Sequence, residues 1–403
     1  RPRDSSEALT MSTCNENIYK YLDIYYEILF PYEELCTWLG YGDVANISFR
    51  EFSLRLLNQL FIRNKSFPIP SQMKATILKE LPIAINIGKD RSKMKKNFSP
   101  RCKSIAKFFV EKELVFDVDI SDYDDVRTCC KGSDICTRCW KYIVIACKIL
   151  NICLRHDFGY DHILWIFSGR RGIHCWVCDK AARILNQSKR NGILNYMGHE
   201  TLKCFIKEDH FEIRKRVLAI IEPEFIPLCI VDQNLLGTEE GVDYFLALLP
   251  DNEAQTDVKQ LFNDRISSID RWNSFTEYHK NMINSVRLKL TSKYFNNQIP
   301  GLHYCGPRFD RNVTEGTTHL LRCPFSVHNE TGKIVIPFDL DEVEKFDPSA
   351  TPTTKQLINE INILRRNRSF EGDVGYGSDH HETSLRKPMD IFQRFVKRVI
   401  QTK

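Results

Sequence analysis

Residues 116–140, FDVDISDYDDVRTCCKGSDICTRCW, place six aspartates and four cysteines in one short run. Carboxylate oxygens are hard ligands and thiolates are soft ligands, so the two groups prefer different metal ions. Carboxylates crowded together also repel each other unless a cation offsets their charge. The stretch therefore predicts two metal sites of different kinds.

Asp117 and Asp119 lie in ELVFDVDI, which is predicted to be a buried strand. Because side chains alternate along a strand, both carboxylates project from one face. Mg²⁺ prefers one or two carboxylates together with phosphate oxygens, and a pair of divalent ions would relieve the repulsion. The alternative is a strand end whose acids meet solvent or basic side chains. Asp122, Asp124 and Asp125 are interpreted as loop acids or local caps.

Cys129, Cys130, Cys136 and Cys139 supply four thiols within eleven positions. Their spacing, with the turn at 131–133, predicts a closed structural zinc site, since tetrahedral Cys₄ is a common structural zinc arrangement. The alternative, cysteines packed as small apolar residues, is disfavoured by the polar loop around them. A second CxxC, at 175–178, lies in an apolar strand without another cysteine pair nearby and is predicted to be core.

The bulk composition is that of a folded protein with a mild excess of positive charge. The 403 residues carry a net charge of +5 and fifteen cysteines, and the length suggests two substructures. No secretory signal follows the opening RPRDSSEALT and no apolar run has membrane-spanning length, so we expect reduced thiols and no membrane partner. The basic loop at 89–107 contacts a polyanion or is simply solvated.

The predicted strand HILWIF runs directly into Ser168-Gly-Arg170-Arg171-Gly-Ile-His174. Glycines let the backbone approach a ligand closely, and arginines present planar forks to phosphate oxygens. The alternative is a basic surface hairpin. A further group contains Asp310, a candidate third metal carboxylate or an ordinary turn aspartate. Arg322 and His328 are candidate phosphate contacts, and the alternative for His328 is a structural histidine. Carboxylates, an anion site and a zinc loop together favour nucleotidyl transfer on a nucleic acid.

With these motifs, the chain resembles the small catalytic subunit of archaeal and eukaryotic DNA primases, and is closest to the eukaryotic form. The similarity rests on ILFPYEELCTWLGYG, REFSLRLLNQLFIR, ELVFDVDISDYDDVRTCCKGSDICTRCW, LWIFSGRRGIHCWVCD and PRFDRNVTEGTTHLLRCPFSVHNETGKIVIPFD. It covers most of residues 18–348, is weak in the helical insertion and is absent from the tail.

The resemblance implies roles for individual residues. Asp117, Asp119 and Asp310 match the catalytic carboxylates that hold Mg²⁺ or Mn²⁺. The four cysteines of the loop match the ligands of a structural Zn²⁺. The implied nucleotide contacts are Glu51, Arg63, Ser168, Arg170, Arg171, His174, Arg322 and His328. Two positions depart from the family pattern: Arg322 stands where eukaryotic relatives usually have lysine, and Asn86 stands where an acid is expected.

The implied fold is an α/β (α+β) catalytic core with an RRM-like sheet, a structural zinc loop and an inserted helical subdomain. We predict the following segments: a flexible N-terminus 1–15, a first core segment 16–190 with the zinc loop 121–140, a helical insertion 191–299, a second core segment 300–350, a helix 351–365, a flexible linker 366–388 and a C-terminal amphipathic helix 389–403. The last helix is either core or a docking element, and core is favoured.

The implied activity is synthesis of short RNA primers de novo on single-stranded DNA from ribonucleoside triphosphates during replication. The implied partners are a large iron–sulfur primase subunit and the DNA polymerase alpha complex, in the nucleus. Two alternatives remain open. One is a primase-polymerase of the same superfamily that works in repair and prefers deoxynucleotides, and the other is a zinc-bearing nucleic-acid-binding subunit without catalysis.

Overall fold

The computed structural model describes residues 19–90, 111–197, 211–249, 252–284, 298–371 and 382–402. The predicted flexible N-terminus 1–15 and positions 91–107 of the basic loop lie outside these ranges. The chain divides into two compact units. Unit 1 contains Arg1–Asp117, Tyr160–Arg190 and Arg311–Lys403, and unit 2 contains Val118–Gly159 and Asn191–Asp310. The zinc loop thus belongs to the same unit as the helical insertion, whereas the sequence placed it in the first core segment.

Within the described ranges, eight strands form two four-stranded sheets. The strands are β1 (Arg50–Arg55), β2 (Phe61–Lys65), β3 (Ala84–Asp90), β4 (Leu114–Asp119), β5 (Ile163–Phe167), β6 (Gly172–Val177), β7 (Leu321–Arg322) and β8 (Ile336–Phe338). The first sheet has the order β2-β1-β3-β7 with antiparallel neighbours throughout, and the second has the order β4-β6-β5-β8. In the second sheet β5 runs antiparallel to both β6 and β8.

Fifteen α-helices occur in the described ranges. They are α1 (Leu22–Ile28), α2 (Tyr32–Leu39), α3 (Val44–Ile47), α4 (Pro70–Glu80), α5 (Thr137–Ile152), α6 (Lys180–Arg183), α7 (Gln187–Met197), α8 (Phe211–Phe225), α9 (Glu239–Leu246), α10 (Asn252–Asn263), α11 (Ser268–Asn284), α12 (Gln298–Cys305), α13 (Arg311–Glu315), α14 (Thr354–Glu371) and α15 (Arg386–Gln401). Within these ranges, no helix combines the length and apolar character needed to cross a membrane.

The stretch REFSLRLLNQLFIRNKSF predicts two short strands with a turn near Asn58, and the hairpin of β1 and β2 confirms them. The Asn58 side chain accepts a hydrogen bond from the Leu60 backbone N–H at 3.1 Å, as asparagine commonly does in turns. The next residue, Gln59, has a φ of 65°. On β1, Phe52 and Leu54 are fully buried, so this strand anchors the first sheet to the core of unit 1.

Strand β6 and helix α15 fill the core of unit 1 together with α2. Cys175 and Cys178 are 0% and 2% exposed, which confirms that this CxxC is core. The ring of Trp38 on α2 lies 5.7 Å from that of Phe392 and 6.3 Å from that of Phe395, both on α15. The C-terminal helix is therefore a core element, as favoured from the sequence.

The segment 366–388, predicted as a flexible linker, is helical at both of its ends. Helix α14 continues to Glu371 and helix α15 already begins at Arg386. The amino-acid composition of a polar helix end resembles that of a flexible linker, because both bury little apolar surface. The helix boundaries were therefore missed in the sequence. The intervening residues 372–381 lie outside the described ranges.

Helices dominate the described part of unit 2. The long apolar helix α5 buries ten of its sixteen residues and continues into a π-helical turn at Cys153–Asp157. A second π-helical stretch, Ile226–Asp232, follows α8 directly. These elements bring the Gln233 side chain to the cysteine-rich loop, where it donates to Cys129 Sγ.

Candidate nucleotide and metal sites

Strand β4 presents its aspartates as the alternation predicts. Phe116 and Val118 are fully buried, while Asp117 and Asp119 are half-buried on the opposite face. The Asp119 carboxylate accepts hydrogen bonds of 2.8 Å from the backbone N–H and the hydroxyl of Ser121, and so begins the 3₁₀ turn Ile120–Tyr123. Two partly accessible carboxylates at the end of a buried strand fit hard divalent ions.

Asp310 is half-buried and directly precedes helix α13. Its assignment as a metal carboxylate with Asp117 and Asp119 stays a prediction. Within unit 2, the segment before Asp310 and the turn after Asp119 are hydrogen-bonded to each other through Arg308.

Residues 168–174, which we call the arginine hairpin, form a tight turn. The Ser168 N–H donates to the Gly172 carbonyl at 2.9 Å, and the Gly172 N–H donates to the Ser168 hydroxyl at 3.2 Å. Gly169 has a φ of +91°, and a Cβ there would lie 2.9 Å from the Cβ of His328. Only glycine fits this position without strain, so the turn carrying both arginines packs directly against His328.

His328 is a neutral imidazole whose proton position can be assigned. Its Nδ1 accepts hydrogen bonds from the backbone N–H groups of Glu330 at 3.2 Å and Thr331 at 3.4 Å, so the proton lies on Nε2. Burial lowers the pKa of His328 to about 2, assisted by the positive charges of Arg322, Arg170, Arg171 and Arg55. The buried imidazole therefore lies in a positively charged environment, which suits an anion.

His174 is the second buried imidazole of unit 1. Burial lowers its pKa to about 3, with Arg322 and His319 adding to the effect. Its Nε2 lies 3.8 Å from an Asp117 oxygen, and its Nδ1 is buried with no hydrogen-bond partner in the described part of the chain. Such an orphaned polar atom is unfavourable unless a ligand completes it, so this position fits a bound polar group.

Arg322 on β7 is held by the loop that follows it. Its Nη1 donates to the Val327 carbonyl at 3.3 Å and its Nη2 to the Asn329 side chain at 3.1 Å. Burial, followed by the charge of Arg55, lowers the Arg322 pKa to about 10. Arg322 lies directly opposite Asn86 in the β3–β7 register, so the two positions that depart from the family pattern form one cross-strand pair.

The sequence analysis missed two charged residues of this site, Arg55 and Glu330. Arg55 lies on β1, far in sequence from the arginine hairpin, and only strand pairing reveals its proximity. Glu330 forms an ion pair with Arg170, and the two side chains are 33% and 32% exposed. Arg170 is therefore paired with a carboxylate and lies at a partly exposed position.

Glu51 and Arg63 lie on the first sheet. Glu51 packs over Gly88 on the neighbouring strand, where an added Cβ would come within 3.0 Å of the Glu51 side chain. Arg63 is exposed on the edge strand β2, and its Cζ lies 5.7 Å from the centre of the Phe61 ring. The Arg55 Cζ lies 5.5 Å from the same ring, so this edge combines an exposed aromatic ring with two cations.

The four cysteines of the loop come together as predicted. The Sγ atoms of Cys129, Cys130, Cys136 and Cys139 all lie within 4.8 Å of one another. Cys136 Sγ is 3.5 Å from Cys129 Sγ and 3.9 Å from Cys139 Sγ. A tetrahedral zinc with Zn–S bonds of about 2.3 Å requires sulfur atoms about 3.8 Å apart, so the cluster has the dimensions of a Cys₄ metal site.

Two residues next to the cysteine ligands, Arg127 and Gln233, form hydrogen bonds that hold this loop. Arg127 is buried and donates to the carbonyls of Gly132 and Asp134 at 2.8 Å each, and to Cys139 Sγ at 3.7 Å. Gln233 donates to Cys129 Sγ at 3.5 Å. Hydrogen bonds of this kind orient metal ligands, and they indicate a structural site and not a reactive one.

The chain has clear relatives among known proteins. A family model described as DNA primase small subunit matches residues 116–340. Among curated relatives, the DNA primase small subunit of Drosophila melanogaster is 37% identical over 94% of this chain and 90% of its own length. That of Schizosaccharomyces pombe is 33% identical over 88% of this chain and 79% of its own length.

Archaeal relatives are more distant. The DNA primase small subunit PriS of Picrophilus torridus is 25% identical over 76% of this chain and 79% of its own length. The eukaryotic relatives thus agree with the motifs that first suggested the eukaryotic form. On these matches, the chain belongs to the DNA primase small subunit family, on its eukaryotic side.

Proposed function

We propose that the chain is the catalytic subunit of a DNA primase that synthesises short RNA primers de novo on single-stranded DNA during replication. The observation that carries this proposal is the arginine hairpin packed directly against the buried His328, with Arg322 hydrogen-bonded to the carbonyl of the residue before it. A cluster of fixed cations and neutral donors is an arrangement that stabilises the developing charge of a transferring phosphoryl group. Membership of the primase family supports the same interpretation.

The triphosphate of an incoming ribonucleotide is assigned to the arginine hairpin and its neighbours. Arg170, Arg171 and Arg322 neutralise phosphate oxygens, and the two neutral histidines, His174 and His328, donate N–H groups to them. Because both imidazoles stay uncharged at neutral pH, they act by hydrogen bonding, and the arginines supply the charge. Ser168, Glu51 and Arg63 are assigned to the same nucleotide on the family resemblance.

Asp117, Asp119 and Asp310 are proposed to hold the two divalent ions, Mg²⁺ or Mn²⁺. When bound, such ions lower the pKa of an attacking hydroxyl and neutralise a leaving pyrophosphate. The contribution of the protein is to hold carboxylates on one face of a rigid strand, with Val118 buried behind them.

Cys129, Cys130, Cys136 and Cys139 are proposed to bind a structural Zn²⁺. The sulfur spacing and the hydrogen bonds to the sulfurs support this assignment. Because the four thiols fill a tetrahedral shell, the ion would have no open position for chemistry.

The remaining assignments follow from the family and belong to the proposal. The term "small subunit" in the names of the relatives implies a larger partner. We assign a large iron–sulfur subunit, the DNA polymerase alpha complex and a nuclear location. Single-stranded DNA is the proposed template.

The test is primer synthesis by the purified chain on single-stranded DNA with labelled nucleotides and Mg²⁺ or Mn²⁺. The wild type is expected to form ribonucleotide products, and Asp119→Asn is expected to reduce them at least about 100-fold, since the amide removes one ligand charge. Asp232→Asn is the matched control, because Asp232 is also half-buried but pairs with Lys141.

Two results would contradict the proposal. Preferential incorporation of deoxynucleotides would favour the primase-polymerase alternative. A folded, zinc-containing wild type that binds DNA but adds no nucleotide to a preformed primer would favour a binding subunit without catalysis.

A further inference from the structure

Two segments of unit 2 that flank proposed metal carboxylates are joined by one arginine. Asp119 is followed by the turn containing Asp122 and Asp125, and Arg308 lies two residues before Asp310. The Arg308 guanidinium forms an ion pair with Asp125 through Nη1, which also donates to the Asp122 carbonyl at 2.5 Å. The Arg308 side chain therefore links the loop after one carboxylate to the loop before another.

Tyr123 provides a second link between the same segments. Its hydroxyl donates to the Gly306 carbonyl at 3.3 Å and accepts from the Arg308 backbone N–H at 3.1 Å. The Tyr123 ring is fully buried, and the Arg308 Cζ lies 4.9 Å from its centre. Backbone and side chain of Arg308 are thus both fixed against the turn that follows Asp119.

The carboxylate of Asp125 is itself held in place from the helical part of unit 2. The Tyr244 hydroxyl donates to Asp125 at 3.0 Å, and the same hydroxyl lies 2.9 Å from His303 Nε2. Arg308, Asp125, Tyr244 and His303 form one connected network, which we call the Arg308 network.

This network is an inefficient way to stabilise a fold. Arg308 is 13% exposed, and its Nε and Nη2 atoms are buried without a hydrogen-bond partner among the described residues. A buried charge with incomplete hydrogen bonding contributes little to stability compared with apolar packing. Its value therefore lies in fixing the position of the two segments.

We propose that Arg308 and Asp125 are positioning residues that hold Asp310 and Asp119 in the arrangement needed to bind divalent ions. This inference rests on the proposed function, since it presumes that the two aspartates are metal ligands. Outer residues that orient metal ligands typically change metal affinity by about 10–100-fold when they are replaced. The network thus sets the concentration of metal at which the site fills.

The experiment is a direct titration of the full chain with Mn²⁺, in which free Mn²⁺ is followed by electron paramagnetic resonance. Asp125→Asn and Arg308→Gln are each expected to weaken Mn²⁺ binding by at least about 10-fold. Because the two residues act as one unit, the double variant is expected to lose no more than the stronger single variant. Thermal unfolding in EDTA gives the stability of each variant without metal.

The matched control is Arg216→Gln, which breaks the ion pair with Asp157, another partly buried arginine–carboxylate pair of unit 2. It is expected to leave Mn²⁺ affinity unchanged. If Arg308→Gln fails to fold, the half-exposed Asp125 still decides the question through Asp125→Asn.

The possible failures are distinguishable. Wild-type Mn²⁺ affinity in folded Asp125→Asn and Arg308→Gln, with weakened binding in Asp119→Asn, would overturn the positioning role and leave the proposed function standing. Wild-type affinity in Asp119→Asn as well would overturn the metal assignment on which both rest.

Discussion

The cysteine loop of unit 2 and the arginine hairpin of unit 1 are both recognisable in the sequence, but the structure completes them differently. In the loop, four sulfurs are within 4.8 Å of one another and receive hydrogen bonds from Arg127 and Gln233. In the hairpin region, His174 Nδ1 is buried without a partner in the described ranges and Arg170 is paired with Glu330. In the first arrangement the sulfurs receive hydrogen bonds from neighbouring side chains, whereas the second leaves a buried polar atom that a ligand could complete.

This difference shows that the types of residue at a site do not by themselves distinguish a structural metal site from a substrate-binding site. Polar atoms of a structural site are satisfied by their own protein. In a substrate-binding site, some polar atoms have no protein partner and form their hydrogen bonds with the substrate. The unfavourable energy of these unpaired atoms is tolerated because the fold holds them, and the neighbouring cations, in fixed positions. Three experiments sharpen this contrast.

The largest effect is expected when a cysteine of the CxxC in the cysteine loop is removed, compared with removal of a cysteine from the second CxxC. Cys136→Ala removes a proposed zinc ligand, and because structural zinc contributes on the order of 10 kcal/mol to small zinc domains, we expect loss of the metal and of the folded loop. Zinc content by atomic absorption and the thermal unfolding midpoint measure both.

Cys175→Ala is the control for this change, since Cys175 is fully buried in the same spacing. It is expected to keep its zinc and to lose about 1–2 kcal/mol from the cavity left behind. Equal zinc loss in both variants would show that the loop does not bind the metal locally.

A pair of glycine substitutions tests the two turns. Gly169→Ala faces a φ of +91° and a contact of 2.9 Å with His328, so it is expected to displace the arginine hairpin and raise the KM for ribonucleotides about 10-fold. Gly132→Ala, in the cysteine loop, has a φ of +59° with open space around it. It is expected to cost about 1 kcal/mol of stability with an unchanged KM.

Steady-state kinetics and urea unfolding of both glycine variants separate the two effects. If Gly132→Ala raised the KM as much as Gly169→Ala, the cysteine loop would have to take part in nucleotide binding, and the contrast between the two sites would be wrong.

The smallest effect is expected in the pH dependence of the free energy of unfolding. Because burial lowers the folded-state pKa of His328 to about 2, the unfolded chain takes up a proton near pH 6.5 that the folded chain does not. Stability contributed by this residue is therefore full above pH 6.5 and falls as the pH drops, by about 1.3 kcal/mol between pH 7 and 5.5. Urea unfolding of wild type and His328→Gln across this range should show the wild type losing more, and parallel curves would contradict it.

Local patterns in the sequence predict much of this molecule. The alternation in β4, the two strands at β1 and β2, the buried strand before the arginine hairpin and the grouping of Cys129 with Cys139 all follow from short-range spacing. The apolar face of α15 that carries Phe392 and Phe395 favours a core position over a docking element, and the packing against Trp38 confirms it.

Features that depend on long-range pairing could not be predicted. Arg55 and Arg322 lie on strands of the same sheet that are far apart in sequence, and the pairing of Arg322 with Asn86 is a matter of register. The ion pair of Arg308 with Asp125 closes a separation of 183 residues. Sequence spacing contains no information on such contacts until the sheets and helices are assembled.

The packing of helix α15 against α2 has a consequence for the order in which the chain is made. Trp38 is enclosed by Phe392 and Phe395, and the Tyr25 hydroxyl donates to the Phe325 carbonyl, 300 residues away. During synthesis the early helices must wait, with apolar rings unprotected, until the ribosome has added roughly 350 further residues, whereas domains made of contiguous sequence fold as they emerge. Unit 1 is therefore expected to depend on chaperones while it is translated, and a stalled ribosome would leave it an aggregation hazard.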